Sequence, residues 1–225
     1  VTLQIFNDIE QGTDEWHAAR RGIITASVIG QLITAKTIKV AANDTSRALT
    51  THLVAERITG YTEPTFVSAD MERGNWDEPI ARDLYSEHYA PAVEVGFMVR
   101  EIDGHRLGYS PDGLVGDDGL IEIKSRRQKK HLATILADEV PLENMAQIHC
   151  GLLVSGRLWC DYVSFCGGMP LYVKRVYIDA RWFDAITEAL AQFEDTAAQM
   201  IATYTKAVDG RPATERLEQF AEMEF

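Results

Sequence analysis

An α/β fold, a central mixed β-sheet flanked by helices, is what this 225-residue sequence predicts, and three observations predict it. Apolar residues in the first half recur at helical steps, as with Leu49, Leu53 and Ile58 on one face. Between residues 92 and 125 the pattern switches to alternation and turn residues. Helical spacing returns at the end, where Trp182, Ile186, Leu190, Phe193, Ala197, Met200 and Tyr204 form one stripe. Helices that bury one stripe and strands that bury one face pack together as layers.

The elements follow in order. "DEWHAAR" reads as a helix stopped at Gly22, and "ASVIGQLI" as a second short one. "DTSRALTTHLVAERITG" is a helix capped by Asp44 or Thr45 and closed by Gly60. "EPIARDLYSEHY" is another, with Pro79 placed in its first turn, where a missing N–H costs nothing. "AVEVGFMVR" and "RLGYSP" are strands joined by the "IDGH" turn, and "GLIEIKS" is a strand after the "GDDG" turn. "PLENMAQIHCGLLVSG" is helical through Met145, Ile148 and Leu152. "RLWCDYVSFC" and "PLYVKRVYI" are strands linked by Gly167 and Gly168, and Asp179 caps the final helix. No repeat or Pro/Ser-rich linker divides the chain. It is expected to be a single domain over 1–225, with a C-terminal helix and acidic tail from about 179.

Composition bounds the function. At 46% hydrophobic and 25% charged, the chain has a globular composition. No run approaches the ~20 apolar residues of a membrane span, so no membrane partner is expected. "VTLQIFNDIEQG" lacks the basic start and apolar core of a signal peptide. Cys150, Cys160 and Cys166 are odd in number and form no CxxC pair. They point to reduced thiols in a cytoplasm rather than to disulfides or structural zinc. A formal charge of −12 disfavours polyanion binding on average. "KSRRQKKH", however, concentrates Lys124, Arg126, Arg127, Lys129 and Lys130, whereas the tail carries Glu215, Glu218, Glu222 and Glu224 against Arg211 and Arg216. An acidic exterior with a local basic lining would focus a polyanion into one cleft.

The stretch "GYSPDGLVGDDGLIEIKS" holds the chemistry. On a strand Glu122 and Lys124 share one face, and Ile121 and Ile123 share the other, expected to be buried. Taken alone, Glu122 and Lys124 could be a surface pair. Asp112 precedes Glu122 by a turn and a strand, so the return strand can bring the two carboxylates together. Two carboxylates with a backbone carbonyl suit Mg²⁺, or Mn²⁺ in its place, and a lysine beside them can stabilise phosphoryl charge or help deprotonate water.

Pro111-Asp112 followed by Glu122-x-Lys124 resembles the signature of the PD-(D/E)xK nucleases. "WHAARRGIITAS", "RGNWDEPIARDLY", "SPDGL…GLIEIKS" and "MAQIHCGLLV" occur in the order of the YqaJ-like viral recombinase family, the lambda-exonuclease type, over about residues 10 to 180. That resemblance implies a restriction-endonuclease-like core. It also implies a metal-dependent 5′→3′ exonuclease that degrades one strand of linear double-stranded DNA to mononucleotides. The 3′ overhangs would serve recombination with a single-strand annealing protein. By the resemblance, Asp112, Glu122 and the Ile123 carbonyl hold the metal, Lys124 is the catalytic lysine, and Glu78 and Gln147 support the water. Arg20, Ser27 and Ser110 resemble a pocket for the terminal 5′-phosphate, with Arg21 an alternative to Arg20. The family also implies a homotrimeric ring in the cytoplasm of a bacterial host. Pro79 after Glu78, and His149 where the family has a glutamine, depart from the pattern; His149 is read as a packed helix residue.

Overall fold

Two mixed sheets with helices against them give the expected α/β class, and the division into two is what the sequence did not reveal. The computed structural model describes residues 2–9, 12–64 and 68–216; Glu218, Glu222 and Glu224 of the acidic tail lie outside the described residues. The chain runs β1 (Leu3–Phe6), α1 (Asp14–Arg20), β2 (Ile24–Thr25), α2 (Ala26–Ile29), β3 (Ile33–Thr34), β4 (Lys39–Val40), α3 (Asp44–Thr59) and α4 (Ala69–His88). It continues with β5 (Ala92–Val93), β6 (Phe97–Ile102), β7 (His105–Tyr109), β8 (Gly113–Val115), β9 (Gly119–Ser125), α5 (Gln128–Ala137), α6 (Leu142–Ser155), β10 (Trp159–Phe165), β11 (Tyr172–Tyr177) and α7 (Ala180–Ala207).

One sheet has the order β1-β6-β7-β2 and the other β11-β10-β9-β8-β5, while β3 and β4 form a separate ribbon. Strand β9 pairs parallel with β10 and antiparallel with β8. The parallel pair requires a crossover, which α5 and α6 supply. β9 is therefore an interior strand, and both of its faces are buried. Ile121 and Ile123 pack with Ala81 and Tyr85 of α4, whereas Leu120 joins the larger core with Ile148 and Leu152 of α6.

Local chemistry explains where the sequence reading was displaced. Helix α3 is capped by Asn43, not Asp44 or Thr45, through a reciprocal box in which Ser46 N donates to Asn43 Oδ1 at 2.9 Å and Asn43 N donates to Ser46 Oγ at 3.1 Å. Helix α2 stops at Ile29, and the chain turns into β3. Helix α4 begins at Ala69, after the Ser68 cap and well before the expected start at Glu78, so Pro79 lies inside it. "AVEVGFMVR" is two strands in different sheets. Gly96 interrupts it, because a Cβ there would stand 1.8 Å from the Phe6 carbonyl oxygen. The three-residue β8 and the helix α5 were not read from the sequence at all.

The Asp103–Gly104 turn joins β6 to β7 with φ values of 51° and 83°, the left-handed pair that a two-residue hairpin favours. In α7, Trp182, Ile186, Leu190, Phe193 and Ala197 are buried and Met200 packs against them, but Tyr204 at the end of the stripe is exposed. His149 stacks on Trp182 with centroids 5.5 Å apart, and its Nδ1 meets the Met145 carbonyl at 2.8 Å. Burial holds its pKa below the usual histidine value. The three cysteines are buried free thiols, and burial raises those of Cys150 and Cys160. Among the described residues no helix is long and apolar enough to cross a membrane.

Candidate active site

The site starts from a shortage of backbone partners. Strand β8 begins only at Gly113, opposite Ile121, so among the described residues the edge of β9 beyond that pair has no ladder partner. The Asp112 side chain takes the role: its Oδ2 accepts from Ile123 N at 2.6 Å. In an antiparallel ladder the N–H and C=O of a residue point to the same edge. The Ile123 carbonyl therefore lies on the Asp112 side of the strand.

Glu122 points to the other face and is fully buried, at 0% exposure, so it is no surface residue. Its Oε1 accepts from Lys124 Nζ at 2.6 Å, and Tyr109 O–H approaches its Oε2 at 3.5 Å. Helix α4 adds Glu78. Arg82, one turn further on, donates to Glu78 Oε1 at 2.5 Å, to Glu94 Oε2 at 2.9 Å and to the Asp112 backbone oxygen at 2.6 Å. Sequence reasoning missed Arg82, although its i+4 spacing from Glu78 is a helix-face signal.

Negative charge is in surplus here. Part of Asp112 faces a cleft, yet it lies deep in the protein. Burial first, then the Glu122 charge, push its carboxyl well above the ordinary range, against the pull of Lys124. Glu78 is raised by burial and by Glu122, with Arg82 opposing. Burial works against the charge of Lys124, but Glu122 and Asp112 outweigh it and raise its pKa, so the ammonium is held charged. Among the described residues no three His, Cys, Asp or Glu side chains cluster as a metal site. A cation here would take two carboxylates, a backbone oxygen and water, the mixed oxygen shell that Mg²⁺ accepts.

A cleft of about 460 Å³ brings most of the candidates together: Arg20, Ser27, Glu78, Ser110, Asp112, Ile123, Lys124 and Gln147 all line it. Glu122 stands behind Lys124. At one side, Arg20 donates to Ser110 Oγ (3.1 Å), Ser27 Oγ (3.2 Å) and Thr25 Oγ1 (3.3 Å). Thr25, which precedes α2, is not among the residues that the sequence singles out. The Arg20 guanidinium lies 4.0 Å from the Trp16 ring centroid, and burial lowers its pKa to about 10 against the pull of Glu56. Arg21 turns away, donating to Thr62 Oγ1 at 3.3 Å. The turn that follows them is pinned, since Gly22 N donates to Glu56 Oε2 at 2.7 Å. Arg57, paired bidentately with Glu194, donates to Gly22 O at 2.5 Å.

The run from Lys124 to Lys130 is not the free basic lining that its sequence suggests. Lys124 is paired with Glu122, Arg126 with Glu143 and Asn144, Arg127 with Asp70, and Lys130 with Glu143. Only Lys129 has no such partner among the described residues.

The YqaJ-like viral recombinase domain matches residues 15–158, a span that holds every candidate in this cleft. The chain belongs to that family. Among solved structures, the alkaline exonuclease LHK-Exo of Laribacter hongkongensis is 32% identical, with a TM-score of 0.73 over 87% of this chain and all of that one. The same enzyme in complex with dAMP is similar at 31% identity and a TM-score of 0.72, over the same shares of the two chains. A phage-related exonuclease of Haemophilus somnus, at 14% identity, shares the fold, with a TM-score of 0.64 over 81% of this chain and 96% of that one. No curated protein is a significant match.

Proposed function

We propose that this YqaJ-type nuclease is a magnesium-dependent 5′→3′ exonuclease that degrades one strand of linear double-stranded DNA to mononucleotides. One observation carries the reading. A single cleft joins buried, mutually repelling carboxylates and a charged lysine to an arginine set among three hydroxyls. The first group suits a divalent cation and a scissile phosphate, and the second suits a terminal phosphate. Membership of the family, and two solved exonuclease structures about 30% identical, support it.

Asp112, Glu122 and the Ile123 carbonyl would hold Mg²⁺, or Mn²⁺ in its place, which polarises a phosphate and acidifies bound water. The chain's own groups do the rest. Lys124, charged in this arrangement, donates a hydrogen bond to the phosphoryl oxygen as negative charge develops there. Glu78 and Gln147, on the cleft wall, orient the attacking water. Its oxygen bonds to phosphorus as the P–O3′ bond breaks, and the phosphate remains on the shortened strand. Each cleavage thereby regenerates a terminal 5′-phosphate for Arg20, Ser27 and Ser110. The family likeness supports a homotrimeric ring around DNA, acting in a bacterial cytoplasm with a single-strand annealing protein on the 3′ overhangs it leaves.

Incubation of end-labelled linear duplex and closed circular DNA, with and without Mg²⁺, tests this. Mononucleotides from the linear duplex alone, only with metal, are expected. Cutting of the circle would make it an endonuclease instead.

A further inference from the structure

One pair of cations at the cleft is arranged unlike the rest. Arg73 Nη1 donates to Asp70 Oδ1 at 2.6 Å, and Arg127 reaches the same oxygen through Nε and Nη2, each at 2.9 Å. One carboxylate oxygen thus receives two guanidinium groups from distant parts of the chain, the first turns of α4 and the cap of α5. Asp70 and Ser125 line the same cleft as Lys124.

The two arginines differ in how they are held. Arg73 Nε also donates to Ser125 Oγ at 2.9 Å, and the Ser125 hydroxyl donates to Asp77 Oδ2 at 2.6 Å. That chain fixes Arg73 independently of Asp70. Arg127 is 72% exposed, and among the described residues its guanidinium has Asp70 alone. Asp70 itself is about half exposed. Exposed ion pairs contribute little, so exchanging this carboxylate for another anion costs little. A phosphodiester presents two charged oxygens to the two forks, a better match than one shared oxygen.

We propose that Arg73 and Arg127 form a further phosphate subsite for the DNA strand, separate from the Arg20 cluster and from the scissile position at Asp112 and Lys124. Asp70 is the internal carboxylate that holds it until DNA arrives. The subsite rests on the nuclease reading above. It also accounts for how a chain of net charge −12 grips a polyanion: the cations are kept paired, and one pair is exchangeable.

The test is a set of linear duplexes, each with one neutral methylphosphonate linkage at a successive position from the 5′ end. Wild type should slow at the scissile linkage and at one further linkage. Arg127→Ala should slow about tenfold on the all-phosphate duplex, roughly one charge-assisted contact, and lose its sensitivity at that further linkage. Arg73→Lys, which keeps the charge but not the fork, should show a partial loss at the same linkage. A wild type with no second sensitive linkage overturns the subsite, as does an Arg127→Ala protein that keeps it. If wild type digests no duplex at all, the nuclease reading falls and the subsite falls with it.

Discussion

Asp161 and Glu122 sit on adjacent strands at the same depth, yet one is finished and the other is not. In the parallel register Asp161 lies beside Ile121, and Glu122 lies beside Tyr162, so the two carboxylates face opposite sides of one sheet. Asp161 accepts from Tyr85 O–H at 2.6 Å and from Arg175 Nε and Nη2 at 2.8 Å each. Those three bonds, two from a bidentate guanidinium, leave it satisfied within the protein. Glu122 has one close donor, Lys124, and shares its surroundings with Asp112 and Glu78. Both carboxylates were buried at the cost of desolvation. Only the first is fully compensated by the chain's own groups; under the proposed function a cation would compensate the remainder on the cleft side.

The contrast breaks most visibly in activity. Asp112→Ala and Glu122→Ala should abolish cleavage while the fold persists. Lys124→Ala should lose about 10²- to 10⁴-fold, the range for a group acting on protons or charge at the reacting centre, yet still respond to Mg²⁺. Thermal melts check that response: Mg²⁺ at about a hundredfold excess over its Kd stabilises a folded state by about 2.7 kcal/mol, and Asp112→Ala should show no rise. A Lys124→Ala enzyme within severalfold of wild type would remove its assigned role.

Next in size is the mirror-image case, a cation waiting for an anion. Arg20→Ala should erase a preference for 5′-phosphate over 5′-hydroxyl ends worth about tenfold to a hundredfold in initial rate. Arg21→Ala, bonded away to Thr62, should not. Equal wild-type rates on both ends would sink the pocket.

On the finished side, Asp161→Ala should cost about 1–3 kcal/mol by orphaning Tyr85, read as a lower Tm with the Mg²⁺ response intact. The smallest effect is on pH. Asp112 and Glu78 have folded pKa values raised above their unfolded ones, so they bind protons more tightly when folded. Their contribution is fully present below the ordinary carboxylate range, near pH 4, and is lost as pH rises through the raised values. Without metal, Tm measured upward from pH 4 should fall more steeply in wild type than in Asp112→Asn. Equal slopes would show that Asp112 is not strained.

The sequence exposed what spacing controls and hid what pairing controls. Alternation placed Glu122 and Lys124 on one face, and the Pro111-Asp112 tract near them. It could not show that β9 is an interior strand, because that depends on β8, whose three residues are too few to show a period. Pro79 misplaced the start of α4: proline favours a first turn, but here the Ser68 cap and Asp70 and Glu72 in the first turn outweigh it. The basic run misled for a related reason. Asp70 and Glu143, which neutralise much of it, lie far away in sequence or on the next helix, so no window of residues reveals them.

The buried thiols have a practical consequence. Cys150 on α6 and Cys160 on β10 lie in the same buried core, and burial suppresses the thiolate of each. Only the thiolate attacks an alkylating reagent, and only where the reagent can reach it. The protein therefore carries an internal clock for its own opening: mass added at these two sulfurs over time counts excursions of the core, with no engineered label.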